Sequence, residues 1–488
     1  MLRNAMHKGL LLPVAVLLAW MPTAAGAADA ALERAATAMG AGSLKSLRYS
    51  GDGIGYTFGQ AYKPGLAWPK INVRSFVRAV NYETGSMRDE IVFSRAEALG
   101  GGGYPHVAQQ RNEQYVSGGF AWNQAAIGPT PGPRFVADRV HQLWITPQGV
   151  IKAAIKNNAT VRQETRNGRS YAAASFAEPG RFTAVAFIGA NGLVERVESR
   201  VPDPVLGDTS VVTTYSDYRD YGGVKFPTRI AQTQGGFPVL ALTVKDVQPN
   251  APADIQLPDT VKNATERVTA EKVADGVWFI AGGSHNSVAI EMKDYMIVVE
   301  APLNDGRTVP MLAQVKQLVP GKPIRYAINS HTHFDHSGGL RAAVAEGATI
   351  ITQAQNKPYF ERAFAVANTI NPDALAKSGK KARFKVVDDK LALSDGTRSV
   401  EIYHVDDSHH TDTFLMVYLP KERLLIEADS FTPGPPNAPV PAQPNPHHTN
   451  LVDNLARLQV PVDRILPLHG RVVPLTELYV AVGQSPPK

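Results

Sequence analysis

Short segments in which hydrophobic and polar residues alternate run through the first half of the chain. They are rich in β-branched and aromatic residues and lie at 160–163, 170–176, 182–187, 194–199, 210–215, 228–232 and 239–247. Asn167-Gly168 and Asn191-Gly192 separate some of these segments, and Asn-Gly between alternating segments is a strong hairpin signal. The pattern predicts a mostly antiparallel β domain over residues 28–250.

The pattern changes after a linker at 251–266, in which Pro252 and Pro258 interrupt any periodicity. Apolar runs at 277–281, 287–292 and 296–300 predict strands, and they are followed by a helical pattern at 309–318. A strand at 325–329, a helix at 340–346 and a strand at 349–352 come next. Strands alternating with helices favour a layered α/β architecture, so residues 267–488 are predicted to form a second domain.

A proline-rich segment covers residues 432–450 of this second domain and carries seven prolines. Because proline lacks a backbone N–H and its ring clashes with the preceding helical turn, no helix is expected there. We expect a stiff, exposed loop.

The first 27 residues have the three parts of a secretory signal peptide. Arg3 and Lys8 form a basic start, an apolar run covers residues 10–20, and Ala25-Gly26-Ala27 supplies the small residues of a cleavage site. We therefore expect cleavage after Ala27 and a periplasmic or secreted protein. The apolar run is short for a bilayer and no later stretch reaches about 18 apolar residues, which predicts no transmembrane segment in the mature chain.

Composition narrows the chemistry more than it narrows the fold. The 488 residues are 44% hydrophobic and 19% charged, which is typical of a globular protein. Cysteine is absent, which excludes disulfides, thiolate nucleophiles, cysteine-ligated zinc and iron–sulfur clusters. The formal charge of +6 is too weak a signal to indicate nucleic-acid binding. A small-molecule substrate is expected, and the oligomeric state is open.

Histidines are concentrated in the second domain, where ten of the thirteen lie between residues 285 and 469. The densest group is the motif His331-x-His333-x-Asp335-His336. His331 and His333 are two residues apart at the end of an apolar strand, so their side chains project to one side. Asp335 and His336 follow where the chain turns toward the next helix. Four potential metal ligands therefore converge, and such a motif seldom arises by chance.

This motif, with Gly338-Gly339 after it, resembles the signature of the metallo-β-lactamase superfamily. Three later segments are similar to the superfamily's remaining ligand segments, namely His410-Thr411, the apolar strand ending at Asp429, and His469-Gly470. The resemblance covers about residues 265–475. It implies an αββα sandwich whose strand-end loops carry the metal, so the whole chain is expected to be a mostly antiparallel β domain followed by that α/β sandwich.

The resemblance also implies a role for each ligand. One ion would be held by His331, His333 and His410, a second by Asp335, His336 and His469, and Asp429 would bridge the two. Imidazole and carboxylate donors suit Zn²⁺, with Fe and Mn as alternatives. The expected activity is hydrolysis of an ester, lactone, thioester or amide, β-lactams included, by a hydroxide bound between two zinc ions. Asp335 would orient this hydroxide as the catalytic residue.

Several positions near these ligands leave alternatives open. His409 adjoins His410 and could be the ligand instead, although the ten-residue distance from His410 to Pro420 matches the superfamily spacing. Glu300 stands where the superfamily usually has an Asp that supports a ligand histidine. Because the side chain of Glu is longer, it is open whether Glu300 gives the same support. Candidates for substrate contacts are His285 and Asn286, on a predicted hairpin, and His447 and His448, at the end of the proline-rich segment.

Two other functions remain as alternatives. Residues 218–228 resemble the late strands of lipoprotein-carrier half-barrels, so the first domain is interpreted either as a scaffold or as a binder of apolar ligands. In the second case the protein would be a periplasmic carrier with a weakly active metal domain. The remaining alternative is a mononuclear iron dioxygenase that acts on persulfides.

Overall fold

The computed structural model describes residues 24–97, 100–101, 108–265, 267–436 and 442–485, with side chains from residue 30 onward. Residues 1–23 of the predicted signal peptide lie outside the described residues, and residues 24–27 open helix α1 (Ala24–Ala38). Among the helices described, none has both the length and the apolar character needed to cross a membrane.

The N-terminal half forms one antiparallel sheet. Its thirteen strands are β1 (Ser46–Tyr56), β2 (Lys70–Asn81), β3 (Ser86–Arg95), β4 (Gln110–Ser117), β5 (Phe120–Ala125), β6 (Gly128–Pro131), β7 (Thr160–Arg166), β8 (Arg169–Glu178), β9 (Phe182–Ile188), β10 (Val194–Asp203), β11 (Gly207–Asp220), β12 (Lys225–Gln234) and β13 (Phe237–Pro249). Their order in the sheet is β6-β5-β4-β3-β2-β1-β13-β12-β11-β10-β9-β8-β7. The first strand therefore pairs with the last in the middle of the sheet, and the predicted antiparallel β architecture is observed.

Helices that the sequence analysis does not predict cover one face of this sheet. A 3₁₀ turn (Pro133–Phe135), α2 (Val136–Trp144) and α3 (Pro147–Lys156) connect β6 to β7. Leu143 and Val150 are fully buried and pack with the strand residues Phe182 and Phe226 in one core. Pro147 occupies the start of α3, where its missing N–H removes no helical hydrogen bond.

The C-terminal half begins after the short helix α4 (Asp259–Lys262) and contains two sheets. The seven-stranded sheet runs in chain order through β14 (Thr269–Ala274), β15 (Val277–Ala281), β16 (Ser287–Glu291), β17 (Met296–Val299), β18 (Ile324–Ile328), β19 (Thr349–Gln353) and β20 (Phe384–Val387). The first four strands pair antiparallel, whereas β17 to β20 pair in parallel.

The six-stranded sheet also follows the chain order. Its strands are β21 (Lys390–Ser394), β22 (Ser399–His404), β23 (Leu415–Leu419), β24 (Leu424–Glu427), β25 (Arg464–Pro467) and β26 (Val473–Pro474). β24 and β25 pair in parallel, and the other neighbours are antiparallel. Buried residues of both sheets, such as Ile290 and Ile426, share one core, which places the sheets face to face.

Helices form the outer layers of this half. They are α5 (Asp305–Leu318), α6 (Phe334–Ser337), α7 (Leu340–Glu346), α8 (Asn356–Ala365), α9 (Ala374–Ser378), α10 (Pro446–Leu458) and α11 (Leu475–Ala481). Met311 of α5 and Ala343 of α7 pack with the seven-stranded sheet, and Leu451 of α10 and Leu478 of α11 join the core of the two sheets. β15 and α7 have the bounds that the sequence predicts.

The predicted loop at 432–450 is wrong at its end, because helix α10 begins at Pro446. Proline is accepted at the first helical position, and the Asn445 side chain caps this terminus by accepting a hydrogen bond of 3.0 Å from the backbone N–H of His447. His447 and His448 therefore lie in the first turn of a helix. Residues 437–441 of the segment lie outside the described residues.

Candidate metal centre

Strand ends of both sheets deliver the predicted ligands to one place. The His331 motif follows β18 of the seven-stranded sheet, whereas Asp429 follows β24 and His469 follows β25 of the six-stranded sheet. His410 lies in the loop that leads into β23. Because β24 and β25 are parallel neighbours, the residues just beyond them emerge at the same edge.

The glycine pair after the motif allows the chain to approach residues 301–308 closely. A Cβ atom on Gly338 would lie 1.9 Å from the carbonyl oxygen of Leu303, and one on Gly339 would lie 1.9 Å from Oγ1 of Thr308. The backbone of both glycines is right-handed, so the requirement is space and not an unusual φ. A side chain at either position would displace the turn that carries Asp335 and His336.

The first cluster of donor atoms consists of His331, His333, His410 and Asp429. Nε2 of His331 and Nε2 of His410 are 3.1 Å apart. These two nitrogens lie 3.2 Å and 3.0 Å, respectively, from Oδ2 of Asp429. The three histidines are fully buried. His409 lies outside both clusters, so the structure brings His410 into the site in preference to its neighbour.

The second cluster consists of His285, Asp335, His336 and His469. Nε2 of His336 and Nε2 of His469 are 3.1 Å apart, and Oδ2 of Asp335 is 3.2 Å from Nε2 of His285. Asp429 joins the two clusters, because its Oδ2 is 3.0 Å from His336 and its Oδ1 is 2.9 Å from His469. One carboxylate therefore contacts histidines of both groups.

Four histidines have a hydrogen-bond acceptor at the outer ring nitrogen. Nδ1 of His336 faces the Glu300 carboxylate at 3.1 Å, and Nδ1 of His469 faces the Ser284 carbonyl at 2.9 Å. The other two outer contacts join His331 Nδ1 to Ser330 Oγ at 2.9 Å and His333 Nε2 to the Ala61 carbonyl at 3.2 Å. In a neutral imidazole, donation at the outer nitrogen leaves the inner nitrogen with a free lone pair.

These lone pairs make the clusters fit metal ions. Nδ1 of His333 is buried without a hydrogen-bond partner in the described part of the chain, and the Nε2 atoms of His331 and His410 face each other beside the shared carboxylate of Asp429. Two nitrogens bound at 2.0–2.1 Å to one tetrahedral Zn²⁺ would be about 3.3 Å apart, close to the observed 3.1 Å. The imidazole and carboxylate donors suit zinc, iron or manganese.

Electrostatics keep several donors in a metal-binding protonation state. Burial, followed by the charge of His336, lowers the pKa of His331 to about 3. Burial alone would raise the pKa of Asp335 and of Asp429, but the neighbouring histidines, His336 foremost, hold both well below the usual range. Burial opposes protonation of His336, yet Asp429 and Asp335 raise its pKa well above the usual value. Protons therefore compete with a cation for His336.

Glu300 supports a ligand histidine despite its longer side chain. It is completely buried, and its Oε2 accepts hydrogen bonds from Nδ1 of His336 and from the hydroxyl of Ser330. Nδ2 of Asn329 contacts Oε1 at 3.4 Å. The φ of Glu300 is +72°, a conformation that L-residues seldom adopt and that is often found at functional sites.

The predicted substrate contacts have different surroundings. His285 is buried in the second cluster beside His469, with ring centroids 4.3 Å apart. The Asn286 amide donates to the carbonyls of residues 467 and 470 and so holds the loop that carries His469. His447 is buried with its ring 5.4 Å from that of His410, and the ring of His448 lies 4.9 Å from that of Phe431.

Two residues that the sequence analysis does not predict also contact the site. Gln60, in the loop between β1 and β2 of the N-terminal sheet, donates a hydrogen bond of 2.8 Å to Oδ1 of Asp335. Glu427 is buried and accepts from the backbone N–H groups of Ser430 and Phe431, bracing the turn that carries Asp429. Gln60 has no local signal, because 275 residues separate it from Asp335.

Comparisons with known proteins match part of this chain. The family model described as "Metallo-beta-lactamase superfamily" matches residues 280–469, so the C-terminal half contains a domain of that superfamily. The alpha subunit of 2,4-dinitroanisole O-demethylase from Nocardioides sp. (strain JS1661) is 24% identical over 172 residues. That match covers 34% of this chain and 48% of the relative, about half its length.

Solved structures are similar to part of this chain. A metallo-β-lactamase from Pontibacter korlensis has 15% sequence identity and a TM-score of 0.34, with coverage of 44% of this chain and 98% of that chain. A flavo di-iron protein from Thermotoga maritima has 14% identity and a TM-score of 0.35, with coverage of 45% and 60%.

Proposed function

We propose that the protein is a metal-dependent hydrolase whose centre holds two divalent cations. The observation that carries this proposal is the shared carboxylate of Asp429, which contacts histidines of both clusters at 2.9–3.2 Å. One cation would be held by the first cluster and the other by the second, with Asp429 between them. Zinc is the proposed metal.

The ligand side chains differ in solvent exposure, so the centre has a buried floor and an open side. The side chains of His331, His336 and His410 are at most 2% exposed, whereas those of Asp335 and His469 are 26% and 19% exposed. We infer that a substrate enters on the side of Asp335 and His469. Two bound cations would supply an activated water and polarise the bond under attack.

Asp335 is the proposed catalytic residue because it lies at this open side and its low pKa keeps it ionised. Gln60 and His285 contact its two oxygens at 2.8 Å and 3.2 Å, which limits rotation of the carboxylate. A fixed carboxylate can orient a water molecule and hold a proton released from it. Burial of the histidines keeps bulk water from the floor of the site.

The substrate class is proposed as an ester, lactone, thioester or amide, β-lactams included. The Nocardioides relative is named as a subunit of a 2,4-dinitroanisole O-demethylase, so 2,4-dinitroanisole is a further test substrate. Superfamily membership does not choose among these substrates, because one fold hosts many reactions.

The test combines metal analysis with a chromogenic panel of nitrocefin, a thioester, a lactone, an aryl sulfate and an aryl phosphate, plus 2,4-dinitroanisole, with and without EDTA. We expect about two metal ions per chain and turnover that EDTA abolishes. His410→Ala should lose metal and activity, whereas the matched variant His409→Ala should keep both, because only His410 lies in a cluster.

Other outcomes would replace the proposal. One iron per chain with oxygen consumption on a persulfide would identify a dioxygenase, which the convergence of a second cluster disfavours. A metal-bearing, inert protein that co-purifies with lipid would identify a carrier.

We also propose export to the periplasm or medium, on the basis of the signal-peptide pattern in residues 1–27. Fractionation of cells followed by N-terminal sequencing is the test. A mature chain beginning at Ala28 in the exported fraction would support it, and an intact Met1 terminus in the cytoplasm would contradict it.

A further inference from the structure

One loop of the N-terminal sheet reaches the metal centre of the C-terminal half. We define the site-covering loop as residues 57–69, which connect β1 to β2. Its carbonyl groups at Gly59 and Ala61 lie 3.1 Å from the backbone nitrogen of Phe334 and 3.2 Å from Nε2 of His333. The Gln60 side chain between them donates to Oδ1 of Asp335 at 2.8 Å. Three consecutive loop residues thus contact three consecutive residues of the ligand motif.

The same loop also contacts the segment that carries His410. The Tyr62 carbonyl accepts from Oγ1 of Thr411 at 2.8 Å and from the backbone nitrogen of Asp412 at 3.0 Å, and the Tyr62 hydroxyl donates to the Ser408 carbonyl at 3.0 Å. Lys63 pairs with Asp412 at 3.1 Å. The loop therefore links two ligand segments that come from different sheets.

Local geometry fixes the loop in this position. Gly59 has a φ of +80°, and a Cβ atom there would lie 2.7 Å from the ring of Phe334. The rings of Phe58 and Trp68 pack edge-on against Phe334, with centroids 5.2 Å and 5.6 Å away. These apolar contacts fix the loop on both sides of Gln60 and so hold its amide against Asp335.

We propose that Gln60 is a positioning residue of the metal centre and that the N-terminal half completes this centre through the site-covering loop. The amide N–H holds Oδ1 of Asp335, so that Oδ2 faces Nε2 of His285 at 3.2 Å and Nε2 of His336 at 3.8 Å. The carboxylate is thereby presented to the second cluster in one orientation. Interactions that orient a ligand in this way tune metal affinity by about 10–100-fold.

This inference rests on the proposed function, because it assigns Gln60 a role toward the second cation. The test titrates the metal-free full-length protein with Co²⁺ and follows the visible absorption bands and the dissociation constant of each equivalent. Gln60→Met keeps the side-chain volume but removes the donor, and Gln60→Asn keeps an amide on a shorter stem. Gln163→Met is the matched control, because Gln163 is exposed on β7 at the edge of the same sheet.

We expect Gln60→Met to weaken the second Co²⁺ equivalent about tenfold or more and to change its absorption bands. The first equivalent should stay within about twofold, Gln60→Asn should fall between wild type and Gln60→Met, and Gln163→Met should match wild type. If Gln60→Met does not fold, as judged by thermal unfolding, a weakened second equivalent in Gln60→Asn supports the inference in its place.

Two results would overturn the inference, and they are distinguishable. Wild-type affinities and spectra in both Gln60 variants would refute the positioning role while leaving the proposed function intact. A wild-type protein that binds fewer than two Co²⁺ ions would refute the proposed function and this inference together.

Discussion

Replacing Glu300 with Gln tests whether the buried carboxylate behind His336 sets the affinity of the metal centre. Glu300 is 0% exposed, and its Oε2 lies 3.1 Å from Nδ1 of His336. The amide of Gln has nearly the same shape and can still accept from His336 and Ser330, but it carries no charge. Glu300→Gln therefore removes the charge behind His336 and also replaces the oxygen that faces the Asn329 amide at 3.4 Å.

The expected magnitude follows from the hydrogen bonds that change. Bonds to a charged partner contribute about 1.5–3 kcal/mol, against about 1 kcal/mol for neutral pairs. The bond from His336 would change from a charged to a neutral pair, which should cost about 0.5–2 kcal/mol of binding free energy, with a smaller effect through Ser330 on His331. This range corresponds to about 2–30-fold weaker binding of the second cation.

The assay is a competition titration of the metal-free protein with Zn²⁺ and a chromophoric chelator, which yields a dissociation constant for each equivalent. Glu291→Gln is the matched control, because Glu291 pairs with Lys322 outside both clusters. Thermal unfolding in chelator checks that both variants fold. A folded Glu300→Gln protein whose two dissociation constants lie within about twofold of wild type would refute the reasoning.

Three further predictions concern catalysis, packing and acid stability. Asp335→Asn should reduce turnover on the order of 10²-fold or more with an unchanged circular dichroism spectrum, and full turnover would contradict its role. Gly339→Ala should lower the free energy of unfolding, measured by urea titration, by about 1–3 kcal/mol, because the added Cβ would meet Thr308. An unchanged midpoint of urea unfolding would contradict this expectation and show that the turn relaxes. Burial, followed by the charge of Arg78, lowers the pKa of His141 in the folded protein to about 3. Below pH 6.5 the unfolded chain therefore binds a proton at His141 that the folded chain does not bind. Wild type should thus lose about 2 kcal/mol relative to His141→Leu between pH 6.5 and 5 in denaturant titrations, and parallel profiles would contradict this.

Local patterns were sufficient to predict much of the fold. Alternating segments predicted the N-terminal sheet, and apolar runs of suitable length predicted β15 and α7 with their observed bounds. The sequence pattern does not predict helices α2 and α3, because strand-like segments flank them on both sides. It does not predict the start of α10 either, because a proline-rich composition indicates a loop, whereas Pro446 is accepted at a first helical position.

Some residues of the candidate site are predictable from the sequence and others are not. His331 to His336 lie in one short motif, and resemblance to the superfamily supplied the three distant ligand segments. The position of Glu300 indicates a supporting residue, but neither its contact with His336 nor its positive φ is indicated by a sequence pattern. Gln60 could not be predicted, because its contact with Asp335 depends on how two halves of the chain pack against each other.

The origin of the ligands in two facing sheets gives the metal a mechanical consequence. His331 follows a strand of one sheet and Asp429 follows a strand of the other. A cation bound by both residues would therefore hold the two sheets together at their open edge. At a free-metal concentration 100 times the dissociation constant, the folded form would gain about 2.7 kcal/mol by mass action. The lifetime of the protein against proteolysis would then follow the metal supply of its surroundings, independently of any substrate.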